Sequence, residues 1–172
     1  MIRLFAALLA VAALPACTTP KEPLRQIPMA HAGVVPLALS DDFEFTKVTK
    51  FLNDARFQQP TVDEMILFER QRANYGAINN VDYTERRGYY FNVWWRAKRE
   101  ADITVRLEYR QEKLGSHVQG KELHYPRGKG SHETKFTVIG DEYKENGKIT
   151  AWRLLLIENG RAVGLHQSFL WN

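Results

Sequence analysis

The sequence predicts a mainly β protein, an antiparallel sandwich of about seven strands preceded by a short N-terminal helical segment. Apolar and polar residues alternate with a period of two from residue 89 onward, which is typical of half-buried strands. Turn-forming residues recur about every 8 to 15 positions over the same part of the chain. No helical periodicity follows residue 76, so we expect short strands joined by tight turns.

The first 16 residues predict a secretory signal peptide. Arg3 precedes an apolar stretch that runs from Leu4 to Leu14. This stretch is too short to cross a bilayer as a helix, which takes about 20 residues. Small residues then lead up to Cys17, as they do before the cleavage site of an exported protein.

The segment Leu14-Pro15-Ala16-Cys17 resembles the lipobox of bacterial lipoproteins, in which signal peptidase II cleaves just before the cysteine. The resemblance covers residues 1–17. It implies that Cys17 becomes the first mature residue and carries diacylglycerol and a fatty acyl chain such as palmitate. It also implies an exported protein anchored to a bacterial membrane, and Thr18 in place of aspartate favours the outer membrane. A signal peptide with a chance cysteine and an uncleaved anchor are the alternatives.

Composition limits the class of protein. The chain has 172 residues, and about 130 of them follow the leader and tether, which is enough for one domain with its own core. Cys17 is the only cysteine, so no disulfide can form within the chain. The formal charge of +4 is spread over interspersed signs. Such a surface would suit anionic lipid head groups or acidic glycans weakly, although an ordinary solvated surface is the favoured interpretation. We expect no nucleic-acid partner for an exported, anchored protein.

Two segments separate the leader from the strand-rich region. Residues 17–40 predict a lipidated, flexible tether, because prolines and a glycine interrupt any periodicity. Residues 41–61 predict a short helical or irregular segment that packs on the sandwich. Phe45, Val48 and Leu52 in this segment are spaced as on one face of a helix, which predicts a helix over 46–56.

The sandwich domain is expected to cover residues 62–172. Its first element is ambiguous: residues 64–72 fit a helix opened by a capping box from Thr61 to Glu64, or a first strand, and we favour the strand. The further strands are expected at 89–95, 103–110, 117–125, 133–139, 149–158 and 161–171.

Asn159-Gly160 predicts a two-residue type I′ turn between the last two strands, because both positions of that turn need positive φ. One face of this hairpin should join the core, including Phe169 and Trp171. The other face carries Leu155, Ile157 and Leu170, and we expect the N-terminal segment to cover it. The turn predicts four cross-strand pairs: Glu158 with Arg161, Leu156 with Val163, Leu154 with Leu165, and Trp152 with Gln167.

The strand spacing, the closing hairpin and the position of Tyr143 before the penultimate strand loosely resemble an immunoglobulin-like or fibronectin-type-III-like sandwich. The resemblance covers about residues 62–171, and Tyr143 is placed like a tyrosine corner. The cysteine pair of immunoglobulin domains is missing. The resemblance implies an architecture and assigns no functional residues.

Two sets of residues are candidates for a ligand surface. Trp94 and Trp95 are adjacent and must point to opposite faces of a strand, so Trp94 could form a platform with Tyr90 and Arg96 for a sugar or peptide. The alternative is that residues 40–60 cover its ring. Arg127 and Lys129, in a glycine-rich segment expected to be a hairpin loop, could bind a sulfate or a sugar acid, although simple turn formation is favoured.

No catalytic residue, metal site or cofactor is predicted. His124 and His132 flank the glycine-rich segment and could approach each other with Glu122 or Glu133 as a third ligand, but two exposed histidines are the favoured interpretation. Ser168 lies near His166 without an evident third partner.

We therefore predict a lipid-anchored protein of the cell envelope whose domain is a non-catalytic binding or structural module, with an envelope protein or a glycan as partner. The first alternative is an envelope hydrolase that acts on polysaccharide or peptidoglycan, which would need converging polar side chains in a cleft. The second is an assembly factor with an exposed edge strand.

Overall fold

The computed structural model describes residues 25–58 and 60–171. The predicted signal peptide, Cys17 and the first part of the predicted tether lie outside these described residues. The protein is mainly β, with 53% of the described residues in strands and few helices among them, as the alternation predicted. Its strands are β1 (Ile27–Met29), β2 (Phe43–Asn53), β3 (Gly88–Gln111), β4 (Gln119–Ile139), β5 (Ile149–Glu158) and β6 (Arg161–Gln167). Its helices are α1 (Glu64–Ala73), α2 (Asn80–Glu85) and α3 (Asp141–Asn146), with 3₁₀ turns at Ala55–Phe57 and Glu112–Leu114.

The six strands form one antiparallel sheet around the long central strands β3 and β4. The order is β1-β4-β3-β5-β6, and β2 also pairs with β3. β2 lies beside the first half of β3 and β5 beside its second half, with register irregularities between Ala97 and Ile103. The predicted strands 89–95 and 103–110 are therefore two halves of one strand. The hydrogen-bonded ladders join all six strands into one sheet, and the immunoglobulin-like sandwich stays a prediction.

The core lies on one face of β3, where alternate side chains are buried. This confirms the period-two pattern and the opposite orientations of the two neighbouring tryptophans: Trp95 is fully buried and Trp94 is half-buried. The buried side chains of β3 are Tyr89, Phe91, Val93, Trp95, Ala97, Ile103, Val105, Leu107 and Tyr109, and they form one cluster with residues of β4, β5 and β6.

The opposite face of β3 holds a buried carboxylate. Glu108 is 1% exposed and pairs with Arg106 at 3.3 Å and with Arg153. Arg106 also pairs with Glu122 at 2.6 Å, and the Arg153 guanidinium lies 4.8 Å from the centre of the Trp171 ring. These ion pairs compensate the charge of the Glu108 carboxylate, which would be costly to bury without a partner.

Strand β2 replaces the helix predicted over 46–56. It pairs with β3 from Phe43 opposite Ala97 to Asn53 opposite Gly88, with a bulge between Phe45 and Lys47. The bulge shifts the alternation by one residue, so that apolar positions before and after it acquire a helix-like spacing. Backbone pairing with β3 outweighs the weak tendency of an isolated short helix to form.

The prediction of a strand over 64–72 is wrong, because α1 occupies this segment. The Asp63 carboxylate caps α1 by accepting hydrogen bonds from the backbone N–H groups of Met65 at 2.9 Å and Ile66 at 3.4 Å. The helices α2 and α3 follow residue 76, where we expected no helix. Each has six residues, which is too short to produce a visible periodicity.

The described part of the predicted tether lies on the sheet. β1 pairs with β4, with Pro28 opposite Lys121. Further along, the Ala162 N–H donates to the Pro36 carbonyl at 2.9 Å, and the Ala38 N–H donates to the Ala162 carbonyl at 2.8 Å. Val35 packs in a small cluster with Leu155, Ile157 and Ala162. The N-terminal segment therefore covers Leu155 and Ile157 on the second face of the last hairpin, as predicted, but not Leu170, which is 65% exposed. Any free tether is shorter than residues 17–40.

The last hairpin confirms the turn but not the whole register. Asn159 and Gly160 have φ of 49° and 73°, as a type I′ turn requires, and Glu158 pairs with Arg161. A bulge between Leu156 and Ile157 then shifts the pairing by one residue, which places Leu156 opposite Gly164. A side chain at Gly164 would lie 2.9 Å from the Leu156 side chain, so the glycine permits this shift. The predicted pairs Leu156–Val163, Leu154–Leu165 and Trp152–Gln167 are therefore wrong.

The predicted core positions at the end of the chain have two outcomes. Trp171 is buried, as expected. Phe169 is 95% exposed, because β6 ends at Gln167 and the alternation of the strand stops there.

Candidate functional site

The predicted aromatic surface is an open strip on the outer face of β3. Tyr90, Trp94 and Arg96 share this face, as expected from their even spacing. The Lys47 ammonium of β2 lies 5.2 Å from the centre of the Trp94 ring, so residues 40–60 cover part of it, as the alternative predicted. The Tyr90 hydroxyl donates to the Arg86 carbonyl at 2.8 Å and is already satisfied within the protein.

Arg127 and Lys129 lie within β4, not in the hairpin loop that we expected. Both are exposed, at the point where the β3–β4 pairing is irregular. The Arg127 backbone N–H donates to the Asp102 carboxylate at 2.8 Å. Arg96 reaches toward the same region, with its Nε 3.5 Å from the Ser131 hydroxyl. These residues border an open surface and form no enclosed site.

A more enclosed site lies where the two ends of β3 approach each other, between Arg87 and Glu112, and sequence reasoning missed it. It is a pocket of about 350 Å³ between the two 3₁₀ turns, the end of α2 and α3. Five of its wall residues are cationic and one is acidic. The lining residues are Arg56, Phe57, Thr84, Arg87, Glu112, Lys113, Gly140, Tyr143, Lys144, Gly147 and Lys148. We call this the basic pocket.

Asp54 lies beneath the basic pocket and fixes part of its wall. Its side chain is fully buried and accepts a hydrogen bond from the Tyr143 hydroxyl at 2.9 Å. Arg56 binds both carboxylate oxygens, at 3.0 and 2.7 Å. Arg87 lies 3.9 Å from the same carboxylate. This buried group therefore orients two cations and one aromatic ring of the wall.

The pKa values of Asp54 and Tyr143 are shifted in opposite directions. Burial raises the pKa of the Asp54 carboxyl, but the hydrogen bonds from Arg56 and Tyr143 and the charge of Arg56 outweigh burial and lower the pKa to about 2. Burial, followed by the hydrogen bond to Asp54, raises the pKa of the Tyr143 hydroxyl well above its usual range. Asp54 is therefore charged and Tyr143 neutral throughout the physiological range.

The three lysines of the basic pocket are less constrained than the two arginines. The Lys148 ammonium lies 3.3 Å from the centre of the Phe57 ring, and the Lys113 ammonium donates to the Lys144 carbonyl at 3.4 Å. Within residues 25–58 and 60–171, none of the three ammonium groups forms an ion pair. Their positive charge is therefore left to interact with solvent or with an anion.

The structure does not bring His124 and His132 together, as the less favoured alternative required. His124 and His132 lie in the same strand, opposite Thr104 and Trp95 respectively. His132 stacks on the Trp95 ring at 4.4 Å between centroids. Among the described residues, no group of three or more potential side-chain ligands could hold a metal ion.

In the part of the chain that the structure describes, no helix is long and apolar enough to cross a membrane. No protein-family model matches this chain, and neither does a curated protein or a solved structure.

Proposed function

We propose that the protein is a lipid-anchored component of the bacterial cell envelope whose domain binds an acidic ligand in the basic pocket without catalysing a reaction. The observation that carries the proposal is the composition of this pocket. Five cationic side chains line it, whereas Glu112 is the single acidic residue on its wall. Such an excess of cations favours a carboxylate, sulfate or phosphate group.

An acidic glycan is the ligand class that fits best. A volume of about 350 Å³ is at the lower end for small-molecule sites, so it suits one acidic sugar and part of its neighbour. Phe57, which is 47% exposed, adds aromatic surface to the wall, which suits the apolar face of a sugar ring. We therefore propose that the envelope glycan predicted from the sequence binds in the basic pocket and not at the Trp94 surface.

The ionisation of the pocket supports a binding role over hydrolysis. A general acid or base works best with a pKa near the pH at which the enzyme operates. The Asp54 pKa of about 2 and the raised Tyr143 pKa are both far from neutrality. A glycoside hydrolase also needs two carboxyl groups facing the substrate, and the wall offers Glu112 alone.

The proposed localisation at a membrane depends on lipidation of Cys17. Thiol lipidation together with an acylated amino group would supply the more than one acyl chain that stable anchoring requires. Labelled palmitate should enter the wild-type protein and be lost in Cys17→Ser. Incorporation that survives Cys17→Ser would refute the anchor.

We also propose that the bent sheet packs as a two-layer, immunoglobulin-like sandwich. Phe91, in the half of β3 beside β2, stacks edge-on against Trp152 of β5 at 5.6 Å between centroids. Phe45 of β2 similarly lies 6.3 Å from His166 of β6. Contacts between the two halves of the sheet support this arrangement.

Binding of a galacturonic acid trimer, compared with an uncharged hexose trimer, tests the proposed ligand class. We expect the acidic trimer to bind and the double variant Lys144→Gln/Lys148→Gln to weaken binding about tenfold, since each exposed charge contributes about 0.5–1 kcal/mol. The matched control, Arg127→Gln/Lys129→Gln, also removes two positive charges, but from the other candidate surface. Equal binding of the uncharged trimer, or an equal loss in the control, would refute the proposal.

A further inference from the structure

Among the described residues, most of the large apolar side chains that are exposed lie in one short part of the chain. Nine of the sixteen exposed large apolar residues lie between positions 62 and 83. α1 contributes no buried residue, although its first half reads Met-Ile-Leu-Phe. Val62, Met65, Ile66, Leu67 and Phe68 cluster at the start of this helix, interrupted by Asp63 and Glu64, and we call these five apolar residues the apolar tip. A patch of this kind marks a contact surface.

The second half of α1 shows how far the apolar tip lies from the sheet. Glu69, Arg72 and Ala73 line a groove together with residues of β2, β3 and β4, including Lys135 and Thr137. Because α1 rises about 1.5 Å per residue, Met65 lies about 12 Å along the axis from Ala73. The tip thus lies within about 12 Å, along the helix, of the residues that line this groove.

The chain reaches the sheet at the same groove. The Gln26 side-chain amide donates to the Lys135 carbonyl at 3.1 Å and accepts from the Thr137 N–H at 3.5 Å. Eight residue steps separate Cys17 from Arg25, the first described residue, and they span at most about 28 Å. A bilayer holding the lipid of Cys17 would therefore lie within reach of the apolar tip.

We infer that the apolar tip of α1 inserts into the interface of the membrane that holds Cys17 and thereby orients the domain on it. This inference rests on the proposed lipid anchor. The segment 62–68 carries two acidic residues, Asp63 and Glu64, and no basic residue, so insertion of the tip rests on its five apolar side chains and not on attraction to anionic lipid. The tip supplies the second membrane contact that converts a tether into a fixed orientation.

Photo-cross-linking to lipid tests this inference. The full-length, lipidated protein is reconstituted in phosphatidylethanolamine vesicles with a minority of phosphatidylglycerol and a photoreactive phospholipid, and cross-linked peptides are identified by mass spectrometry. We expect cross-links within residues 62–68 that Met65→Ser/Phe68→Ser reduces about fivefold or more. The matched control Phe169→Ser/Leu170→Ser removes two exposed apolar side chains elsewhere and should leave the cross-links unchanged. Because the contact is apolar, added salt should have little effect.

The possible failures are separated by a second readout, palmitate labelling of the same samples. Labelled protein without cross-links at the tip overturns the inference and leaves the anchor intact. Absence of palmitate overturns the anchor and this inference with it. Thermal unfolding of each variant confirms that these exposed substitutions leave the fold intact.

Discussion

Tyr143→Phe should destabilise the protein through a single lost hydrogen bond. The Tyr143 hydroxyl, in a side chain that is 3% exposed, donates to the buried Asp54 carboxylate at 2.9 Å. Hydrogen bonds to charged groups contribute about 1.5–3 kcal/mol, and phenylalanine fills nearly the same space. Since Arg56 and Arg87 still face the carboxylate, we expect a cost near the lower value, about 1.5–2 kcal/mol.

Urea unfolding followed by tryptophan fluorescence measures this cost. The free energy of unfolding should fall by about 1.5–2 kcal/mol in Tyr143→Phe with an unchanged m value. Tyr90→Phe is the matched control, because its hydroxyl donates to a backbone carbonyl and carries no charge–dipole contribution. If Tyr143→Phe lowers the free energy of unfolding no more than Tyr90→Phe does, the proposal that Asp54 orients the wall of the basic pocket is refuted.

The same carboxylate predicts how stability depends on pH. Because the Asp54 pKa falls from 3.8 in the unfolded chain to about 2 in the folded protein, its stabilisation is present above about pH 4 and is lost as the pH falls toward 2. Between about pH 7 and pH 3, the contribution of Asp54 to the free energy of unfolding falls by about 1 kcal/mol. Solvent around Arg56 screens this interaction, so we expect a measured loss of about 0.5–1 kcal/mol. Asp54→Asn should remove this part of the acid sensitivity. An unchanged difference between the two pH values in the variant would contradict the assignment.

Two further predictions concern the sheet. Gly88→Ala should cost about 3 kcal/mol or more, because its φ is 141° and an added Cβ would lie 2.2 Å from the Val138 carbonyl oxygen; Gly160→Ala, with positive φ but open space, should cost about 1–2 kcal/mol. Thermal unfolding should reproduce this order, and equal costs would contradict the steric argument. Glu108→Gln should cost about 3 kcal/mol, because it leaves the partly buried Arg153 without its carboxylate. A change below about 1 kcal/mol in urea unfolding would show that the buried network contributes little.

The sequence predicts the fold best where a strand has one buried and one polar face. Ile103, Val105 and Leu107 alternate with polar residues and form the core face of β3 without interruption. The prediction fails where a bulge shifts the alternation, as at Phe45 and Lys47 in β2 and at Leu156 in β5. A bulge depends on contacts with the neighbouring strand, so local periodicity cannot reveal it.

The basic pocket was missed for a related reason. Its cations come from four separate segments, and Arg56 and Lys148 are 92 positions apart in the sequence. Each is an isolated surface residue until the sheet brings the segments together. The position of Tyr143 before β5 predicts a tyrosine corner, but its partner is the Asp54 carboxylate, 89 residues earlier, and not a nearby backbone group.

Backbone amide NMR during titration with the galacturonic acid trimer tests the central claim most directly. We predict that shifts concentrate at Arg56, Phe57, Arg87, Lys113 and residues 140–148, and that they diminish as salt is added, because the attraction is electrostatic. The strip that contains Trp94 and Arg96 should remain unperturbed, and so should the exposed Arg127 and Lys129 of β4. Shifts that concentrate on this strip, or that do not respond to salt, would contradict the account.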